Sequence, residues 1–557
     1  MTPEEIERLL GDPYDATNPY GFAAAVARDE QDAFPEELCA KLREAGFHLH
    51  YLPREWGGRF ESFDRTMLLV RTAARRDLNV MPGTMFGITA ATCLALHGSP
   101  EQRKHAAEIL TRGGAVGFAL SEAAHGSDLL ANTARLEPVD SGWELTGQKW
   151  MVGLGRRCEA VYLVARTGER GPGAFSAVLL DLTDTGRLER GPAVQASGMR
   201  GIDFAHLRFD RFRVPPDALV GAEGQALESV MKAQQVVRVM SMAGSLGIAD
   251  TALRLTLDFA ADRRVGRKAL LESPYSRREL AIASAAALAA DATAVAAARG
   301  IHVAPGTFSV WGCAAKHVVA ESTEEVLRRC GGVLATRAVL RTEGPGGGLF
   351  QKLQRDAAIV RVVDTSTLAN LRSYSAQLPA VAGAVSGAVP ADTVEAVRQV
   401  FDLSAPLPAY RPERLDLNAR GHDPVTAALG TVAPEALARL TARAEQATAH
   451  LVVRLSEAVT GLSAEVFEAD RETGLADLAE RFAWLHAATC CLHLWWANPT
   501  NPFFTPAWLC ACLTYLLARA DGTDPRRDCA EQLPALDITT DLHDHDQLFS
   551  ALPVHLA

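Results

Sequence analysis

One short segment of the chain groups the residue types of a hydrolase triad, namely His125, Ser127 and Asp128. A triad needs a nucleophile, a base that accepts its proton and an acid that orients the base, all within hydrogen-bonding reach. Neighbouring side chains of an extended segment point to opposite faces, so these three do not converge. The segment therefore does not predict a hydrolase.

Other segments contain residue types that bind metals or phosphates in proteins. Gly344-Pro-Gly-Gly-Gly348 resembles a phosphate loop but lacks the Lys-Ser/Thr ending that such loops need. Asp541-Leu-His-Asp-His-Asp546 could ligate a divalent metal, although a polar segment near a chain end is far commoner. The 10 cysteines form no repeated C-x-x-C pair, which favours buried, reduced thiols. We predict no metal site.

The strongest functional signal is a series of short segments that occur in one order between residues 52 and 367. They are Leu52-Pro-Arg-Glu-Trp-Gly-Gly58, His97-Gly-Ser-Pro-Glu-Gln102, Ala119-Leu-Ser-Glu-Ala-Ala-His-Gly-Ser-Asp128, Leu145-Thr-Gly-Gln-Lys-Trp150, Arg263-Arg264, Cys330-Gly-Gly332 and Arg355-Asp-Ala-Ala-Ile359. Together they resemble the acyl-CoA dehydrogenase family, flavoenzymes that desaturate acyl thioesters next to the carbonyl. The resemblance extends over roughly residues 35–375.

The resemblance implies FAD as the cofactor. In the family, the strand equivalent to residues 118–127 lies along the flavin, and its Gly-Ser ending touches flavin and thioester. The next strand carries an aromatic residue and a hydroxyl donor to flavin N5, where this chain has Met151, Val152 and Gly153, so that a backbone N–H must donate at Gly153. Across a subunit interface, an arginine and a glycine pair contact the neighbour's flavin. The implied cofactor-binding residues are Phe118, Leu120, Ser121, Gly126, Ser127, Met151, Val152, Gly153, Arg263, Gly331, Gly332 and Ser366.

Desaturation removes a proton from the α-carbon of the thioester while a hydride leaves the β-carbon, so it needs a buried carboxylate as base. In the family the base is most often a Glu nine residues after the Arg of the Arg-Asp-Ala motif, and counting from Arg355 gives Asp364. Aspartate is shorter than glutamate by one CH₂, about 1.5 Å of reach. Asp364 could instead cap a helix expected over residues 365–374. The resemblance assigns the substrate contacts to Ser127, Arg238 and Val363.

Two departures from the family pattern bear on the acyl carrier. Gln235 replaces the family's usual Asp beside Arg238, and Ile202 stands where many members have a polar contact to the pantetheine arm. The substrate is therefore expected to be the thioester of either CoA or an acyl-carrier protein. The expected electron acceptor is an electron-transfer flavoprotein or oxygen. Two rival hypotheses are a flavin-dependent monooxygenase on the same scaffold and a non-enzymatic scaffold that has lost its cofactor.

The composition fits a large enzyme and excludes a nucleic-acid binder. The chain has 557 residues, 48% of them hydrophobic, and a net charge of −11. A nucleic-acid partner would require a basic face. No secretory signal or membrane span is expected, since the N-terminus is acidic and the longest apolar stretches are short or Ala-rich. We expect a cytoplasmic homodimer.

Changes in the spacing of apolar residues predict the helices and strands that position these residues. Helical spacing of apolar residues gives way to short alternating segments near residue 116 and returns after Gly224. The expected fold is α+β and multidomain, resembling the acyl-CoA dehydrogenases. Its predicted parts are an N-terminal helical domain (1–115), a middle antiparallel β-domain (116–222), a helical bundle (223–377), a linker (378–392) and a C-terminal helical extension (393–557).

Overall fold

The structure is a computed structural model that describes residues 1–182, 186–341, 345–363, 365–384, 389–469 and 474–556. The helices in these ranges are α1 (Pro3–Leu10), α2 (Phe22–Glu30), α3 (Glu36–Glu44), α4 (Phe63–Ala74), α5 (Val80–Met85), α6 (Ile88–His97), α7 (Pro100–Thr111), α8 (Ala226–Asp262), α9 (Pro274–Val303), α10 (Phe308–Leu334), α11 (Leu349–Val362), α12 (Thr367–Ser375), α13 (Leu378–Ala384), α14 (Ala391–Phe401), α15 (Pro424–Ala427), α16 (Leu429–Ala442), α17 (Gln446–Glu468), α18 (Gly474–Ala497), α19 (Pro506–Ala520) and α20 (Cys529–Asp544). The strands are β1 (Val116–Ala119), β2 (Arg135–Val139), β3 (Gly142–Gly153), β4 (Ala160–Arg166), β5 (Phe175–Asp181), β6 (Leu188–Ala193), β7 (Phe204–Val214), β8 (Leu219–Val220), β9 (Arg264–Val265) and β10 (Lys268–Ala269).

These elements form two compact units. The sheet unit comprises residues 16–61 and 76–237. The helical unit comprises residues 2–15, 62–75 and 238–557, as far as they are described. The fold is helix, sheet, helix along the chain, as the sequence predicts.

The sheet unit is built on eight strands in the order β6-β7-β3-β2-β4-β5-β8, with β1 added beside β4. Neighbours are antiparallel except for β1 and β2 against β4, which are parallel. Alternation of apolar and polar residues along β3 and β7 buries one face of the sheet. Its core includes Leu145, Val161, Leu163 and Leu207, all without solvent exposure.

The segment around Ser99 joins the helices of the sheet unit to its strands. Ser99 Oγ accepts the N–H of Gln102 (3.2 Å), and the Gln102 side chain accepts the N–H of Ser99 (3.0 Å), which forms a capping box at the start of α7. The Gln102 amide also donates to the carbonyls of Asp217 and Leu219 at 2.9 and 3.0 Å. One glutamine therefore both caps a helix and fixes the strand β8.

The helical unit has α9 at its centre. This helix of 30 residues is Ala-rich and buried on all sides over most of its length, and it packs against α10, α18, α19 and α20. Close packing needs small residues, because a Cβ on Gly300 would lie 2.1 Å from the Trp311 ring of α10. The nine described cysteines with placed side chains are unpaired and buried, as expected.

Side chains of the C-terminal extension form ion pairs with α9 and α10. Glu279 of α9 accepts from Arg329 of α10 at 2.7 Å and from Arg526 of the extension at 3.0 Å. Tyr515 of α19 donates to Ser322 of α10 at 3.2 Å. Residues 238–557, which include most of the predicted bundle (223–377) and the whole extension (393–557), fall in one compact unit as far as they are described.

The predicted linker also differs from the structure. Its first residues form α13, which buries Leu378, Val381 and Ala382. Alternating small and apolar residues allow a short helix here once tertiary packing covers its apolar side. Residues 385–388 of the linker lie outside the described ranges.

Three stretches are long and apolar enough to cross a membrane by length and composition alone. They are Val80–His97, Ala226–Asp262 and Pro274–Val303, and their most apolar windows are 67%, 100% and 100% buried within the protein. The absence of membrane insertion stays a prediction.

The guanidinium of Arg71 on α4 is a central buried cation of the helical unit. It donates to Asp291 of α9 (2.6 Å) and to the carbonyl of Phe549 (3.0 Å), and it lies 3.6 Å from a carboxylate oxygen of Asp250. Asp291 also accepts the N–H of Ala551 at 2.8 Å. Burial raises the pKa of Asp291, and Arg71 opposes that rise.

Replacement of Arg71 by Met should destabilise the helical unit strongly, because Asp291 would be left buried without its cation. We expect the free energy of unfolding to fall by about 3–5 kcal/mol. Urea denaturation followed by circular dichroism measures the change. The matched control is Arg420→Met, whose ion pair with Asp416 is exposed, and which should cost at most about 1 kcal/mol. Equal losses for the two variants would contradict this account of Arg71.

Candidate active site

The loop that follows β1 carries four of the predicted site residues, namely Leu120, Ser121, Gly126 and Ser127. β1 ends at Ala119, so the segment up to Ser127 is a loop and not the strand that the resemblance implied. The Glu122 carbonyl accepts the N–H groups of His125 (3.1 Å) and Gly126 (3.0 Å), which closes a turn. Gly126 has φ +55° with open space around its Cβ position, so glycine is needed here for backbone direction. Ser127 is exposed at the end of this turn.

A buried ion pair fixes this loop to β3. Lys149, without solvent exposure, donates to Glu122 (3.0 Å) and to the Leu120 carbonyl (3.1 Å). The Glu122 carboxylate also accepts the N–H groups of Thr133 (2.8 Å) and Ala134 (2.9 Å). Burial alone would raise the pKa of Glu122, but Lys149 and the two N–H donors hold it below its usual value, while burial lowers the pKa of Lys149. The pair holds the loop at both of its ends.

β3 is irregular at the residues that the resemblance places along the flavin. Its register against β7 shifts at Met151, which has φ +50° and donates its N–H to Nδ1 of His206 at 3.3 Å. Trp150 donates its N–H to the Ser121 carbonyl (2.9 Å), which ties the loop to the bulge. Its ring is 37% exposed and stacks on His206 with centroids 6.4 Å apart, whereas Val152 is buried. Trp150 therefore points away from the core, as the alternation of a strand predicts.

Gly153 has no room for a side chain. A Cβ on Gly153 would lie 1.8 Å from Cζ of Phe86. Phe86 also meets Phe204 edge to face, with centroids 6.0 Å apart, and Phe204 is the β7 partner of Gly153. At the position where the resemblance implies a hydroxyl donor, this chain has both lost the hydroxyl and filled its space with an aromatic ring.

Phe118 on β1 completes the predicted residues of the sheet unit. Its ring lies parallel to that of Tyr162 on β4, with centroids 6.0 Å apart and an interplanar angle of 16°. The structure thus brings into one unit Phe118, Leu120, Ser121, Gly126, Ser127, Met151, Val152 and Gly153.

The other predicted residues lie in the helical unit, where Arg238 is the most unusual. It is only 7% exposed, and its guanidinium has no hydrogen-bond or ion-pair partner among the described residues. A Cβ on Gly312 of α10 would lie 3.7 Å from the Arg238 side chain. A buried cation without a partner costs several kcal/mol, so Arg238 is suited to receive a polar or negatively charged ligand atom.

Lys316 holds the end of α11, immediately before the predicted base. Its ammonium group, 1% exposed, donates to the carbonyls of Val360 (2.7 Å) and Val363 (3.3 Å) and to Ser241 (3.2 Å). The last carbonyls of a helix lack helical partners and carry partial negative charge, so a cation stabilises them. The predicted substrate residue Val363 is thereby fixed through its backbone.

Asp364 itself lies outside the described residues. The residue after it, Thr365, has φ +87°, a conformation that a β-branched residue adopts only under strain. The N-cap of α12 is Ser366, whose hydroxyl accepts the N–H of Ala369 at 3.3 Å. The alternative role of Asp364 as helix cap is therefore not needed, and the predicted cofactor residue Ser366 has a structural role of its own.

Arg263 lies at the edge of a cavity of about 400 Å³ in the helical unit. The cavity is lined by residues of both charge signs and by aromatic rings, among them Tyr14, Asp258, Phe259, Asp262, Arg263 and Arg337. Asp258 is held by Tyr14 (3.2 Å) and by His543 (2.7 Å). Two arginines near one cavity are suited to a pyrophosphate, and aspartates can accept the hydroxyl groups of a ribose.

The glycine pair of α10 leaves space beside the helix. A Cβ on Gly331 or Gly332 would meet its nearest neighbours only at 3.7 and 3.8 Å, in ordinary contact. Packing within this chain therefore does not require glycine at either position. The open side of each glycine leaves room for a ligand or a second subunit to approach the helix closely.

Several residues of the site are not among those that the sequence predicts. Glu122 and Lys149 are two of them, although two opposite charges in apolar segments are a signal of a buried pair. A lone lysine in an apolar helix is a similar signal for Lys316. No sequence signal identifies Phe86 or Arg337, because their contacts depend on how distant elements pack.

Comparison with known proteins gives three matches to one family, in order along the chain. The acyl-CoA dehydrogenase N-terminal domain matches residues 22–114, the middle domain residues 117–212 and the C-terminal domain residues 224–366. The chain belongs to the acyl-CoA dehydrogenase family. Helices α12–α20 lie beyond the matched residues.

Individual relatives agree with this membership. A probable acyl-CoA dehydrogenase of Mycobacterium tuberculosis is 28% identical over 242 residues, which are 43% of this chain and 62% of that protein. The chain thus matches less than two thirds of that relative's length. Butyryl-CoA dehydrogenase from Megasphaera elsdenii has a similar structure, with a TM-score of 0.61 and 20% identity over 68% of this chain and 97% of the other. A prolyl acyl carrier protein oxidase gives a TM-score of 0.60 with 16% identity over 68% and 97%. At such identities the structures establish the shared fold.

The residues of this acyl-CoA dehydrogenase family member fit a flavin with one exception. In the helical unit, the cavity with Arg263 and Arg337 and the open sides of Gly331 and Gly332 are suited to a dinucleotide. In the sheet unit, the exposed turn at Ser127 offers a hydroxyl to a ligand. The exception is Gly153, beside which the ring of Phe86 replaces a side-chain hydroxyl.

The Glu122–Lys149 pair predicts a pH-dependent variant. Glu122→Gln should remove on the order of 3 kcal/mol from the free energy of unfolding at neutral pH. The folded-state pKa of Glu122 is lowered, so its stabilisation is complete above the unfolded value near 4.3 and is lost as the pH falls through the folded value. Thermal unfolding from pH 7 down to pH 3 should therefore show the gap between wild type and variant closing in acid. Glu137→Gln, at an exposed position of β2, is the control and should match wild type at every pH. A constant gap would contradict the pairing.

Lys316→Met should loosen the turn between α11 and α12 while leaving the fold intact. The carbonyls of Val360 and Val363 would lose their donor, so the strained conformation at Thr365 would no longer be held from that side. We expect amide hydrogen exchange over residues 360–369 to be at least about tenfold faster, in line with a lost buried charged hydrogen bond. Mass spectrometry after deuterium labelling measures it, with exposed Lys268→Met as control. Unchanged exchange in the Lys316 variant would show that the turn is held by other contacts.

Proposed function

We propose that the protein is an FAD-dependent dehydrogenase that desaturates an acyl thioester between its α and β carbons. Membership of the acyl-CoA dehydrogenase family supports this reaction class. The observation that carries the proposal is one surface of the sheet unit, which we call the wall. It consists of the Gly126-Ser127 turn and the bulge of β3 at Met151, and a buried ion pair holds the turn to β3 beside this bulge.

That wall presents backbone groups and one exposed hydroxyl to a ligand. The start of the turn is fixed, because Glu122 accepts the Ala134 N–H and the Ser121 carbonyl accepts the Trp150 N–H. Pre-set donors of this kind stabilise charge without a reorganisation cost. We assign Ser127 to both cofactor and thioester, and the Met151–Gly153 segment to the cofactor.

The chemistry requires a base and an acceptor of two electrons. A bound FAD would supply acceptance of the hydride from the β-carbon. Asp364 takes the proton from the α-carbon, a double bond forms between the two carbons, and the acyl group is oxidised by two electrons. The described neighbours of Asp364 support this assignment, since Lys316 fixes Val363 and the cap Ser366 fixes the other side.

Arg238 is assigned to the thioester. Loss of the α-proton places negative charge on the carbonyl oxygen, and a buried cation without a protein partner stabilises such a charge better than an exposed one. Arg238 is 7% exposed and has no partner among the described residues. The carbonyl oxygen of the thioester would therefore be the negatively charged partner of its guanidinium.

The remaining features of the proposal come from the sequence. The substrate is the thioester of CoA or of an acyl-carrier protein, and the acceptor of the flavin's electrons is an electron-transfer flavoprotein or oxygen. Similar folds are found in butyryl-CoA dehydrogenase and in a prolyl acyl carrier protein oxidase, which are proteins with each kind of carrier in their names. We propose a cytoplasmic homodimer in which Arg263, Gly331 and Gly332 serve the flavin of the other subunit.

An anaerobic absorbance titration with acyl-CoA and acyl-carrier thioesters tests the function and the base together. Bleaching of the flavin band in wild type should slow by about 10²–10⁴-fold in Asp364→Asn, the usual contribution of a general base. Asp364→Glu should retain most of the rate. Asp392→Asn, at an exposed position of α14, is the matched control and should bleach as wild type does.

Other outcomes would replace the proposal. Equal rates in wild type and Asp364→Asn would exclude Asp364 as the base. No bleaching by any thioester, together with reduction by an external reductant and rapid oxygen consumption, would favour the monooxygenase. A colourless protein that takes up no FAD would favour the scaffold.

A further inference from the structure

Phe86 occupies a place in the sheet unit that its neighbours hold tightly. It follows α5 and precedes α6, and the glycines on either side of it are packed without spare room. A Cβ on Gly83 would lie 2.6 Å from the sulfur of Cys39, and one on Gly87 would lie 2.5 Å from Leu110. The backbone that carries Phe86 therefore has little freedom to move.

The ring of Phe86 is confined as well. One side meets the buried Phe204 edge to face at 6.0 Å. Another overlaps the Cβ position of Gly153, with three ring carbons at 1.8, 2.0 and 2.3 Å from it. Phe86 also lines a cavity of about 210 Å³, together with Tyr51, Gly87 and Leu154. The ring thus covers β3 at a single residue, Gly153.

We propose that Phe86 takes the place of a side chain at residue 153, so that the cofactor there meets an apolar ring and a backbone N–H in place of a hydroxyl. The inference rests on the proposed function, because only a flavin-binding β3 makes residue 153 part of the site. A phenyl ring neither donates nor accepts a conventional hydrogen bond, and it excludes water from the surface that it covers. Phe86 therefore determines which chemical groups contact this edge of the cofactor, and it excludes water from that edge.

Three variants distinguish the packing of Phe86 against residue 153 from a contact of residue 153 with the cofactor. Gly153→Ser alone should lower the thermal midpoint and weaken FAD binding at least tenfold, because its Cβ overlaps the ring. Phe86→Ala removes the ring. The double variant Phe86→Ala/Gly153→Ser should recover the thermal midpoint of Phe86→Ala and bind FAD within about threefold of wild type, with a bound-flavin reduction midpoint shifted from those of both wild type and Phe86→Ala.

The readouts are thermal unfolding of the cofactor-free protein, FAD affinity by fluorescence quenching, and the reduction midpoint of the bound flavin by anaerobic dye equilibration. Gly191→Ser on β6 is the control, because a Cβ there meets atoms only from 3.5 Å outward. It should behave as wild type in all three.

Two results would overturn the proposal. A double variant as unstable as Gly153→Ser would show that Phe86 is not what excludes the side chain. A double variant with restored stability but with the flavin midpoint of Phe86→Ala would show that residue 153 does not face the cofactor. Failure of the proposed function would look different, since wild type itself would then bind no FAD or show no bleaching by thioesters.

Discussion

Lys149, Lys316 and Arg71 are each almost fully buried, and the positions of the surrounding segments follow from the oxygens that these cations require. Lys149 draws the loop after β1 onto β3 through Glu122. Lys316 of α10 binds the end of α11 through the Val360 carbonyl and binds α8 through the Ser241 hydroxyl. Arg71 joins α4 to α9 and to the C-terminal segment. A buried charge that loses its partner costs more than most packing defects, so each cation specifies one arrangement of the chain around it.

A second constraint is the close packing of large rings against glycines. The ring of Phe86 occupies the Cβ position of Gly153, and the ring of Trp311 occupies that of Gly300. In each pair the glycine belongs to one element and the ring to another, so the pair fixes the distance between the elements. A protein interior is packed too densely for such a pair to be changed on one side alone. The end of β3 in the sheet unit and the core of the helical unit are therefore shaped by the same kind of contact.

The sequence predicts the order of helical and sheet regions well, because hydrophobic periodicity changes at their boundaries. It predicts less well what depends on local backbone geometry or on distant packing. The strand expected up to Ser127 ends at Ala119, since a buried Glu122 turns the chain toward Lys149. The linker begins with the helix α13, because residues far along the chain cover its apolar side. Phe86 could not be found from the sequence, because nothing in its surroundings marks a contact with β3.

The segment from Val363 to Ser366 shows how a departure from the family pattern is accommodated. The resemblance to the family implies an aromatic residue, Glu, Gly and Thr in this stretch, and this chain has Thr365 at the implied glycine position, with φ +87°. Such a conformation costs about 1–3 kcal/mol for a residue with a Cβ. It persists because the chain is fixed on both sides, by Lys316 at the Val363 carbonyl and by the Ser366 cap of α12. We propose Asp364 as the base, and a carboxylate shorter than glutamate needs a backbone that stays near the substrate. Lys316 at the Val363 carbonyl and the cap at Ser366 fix the described residues on either side of position 364.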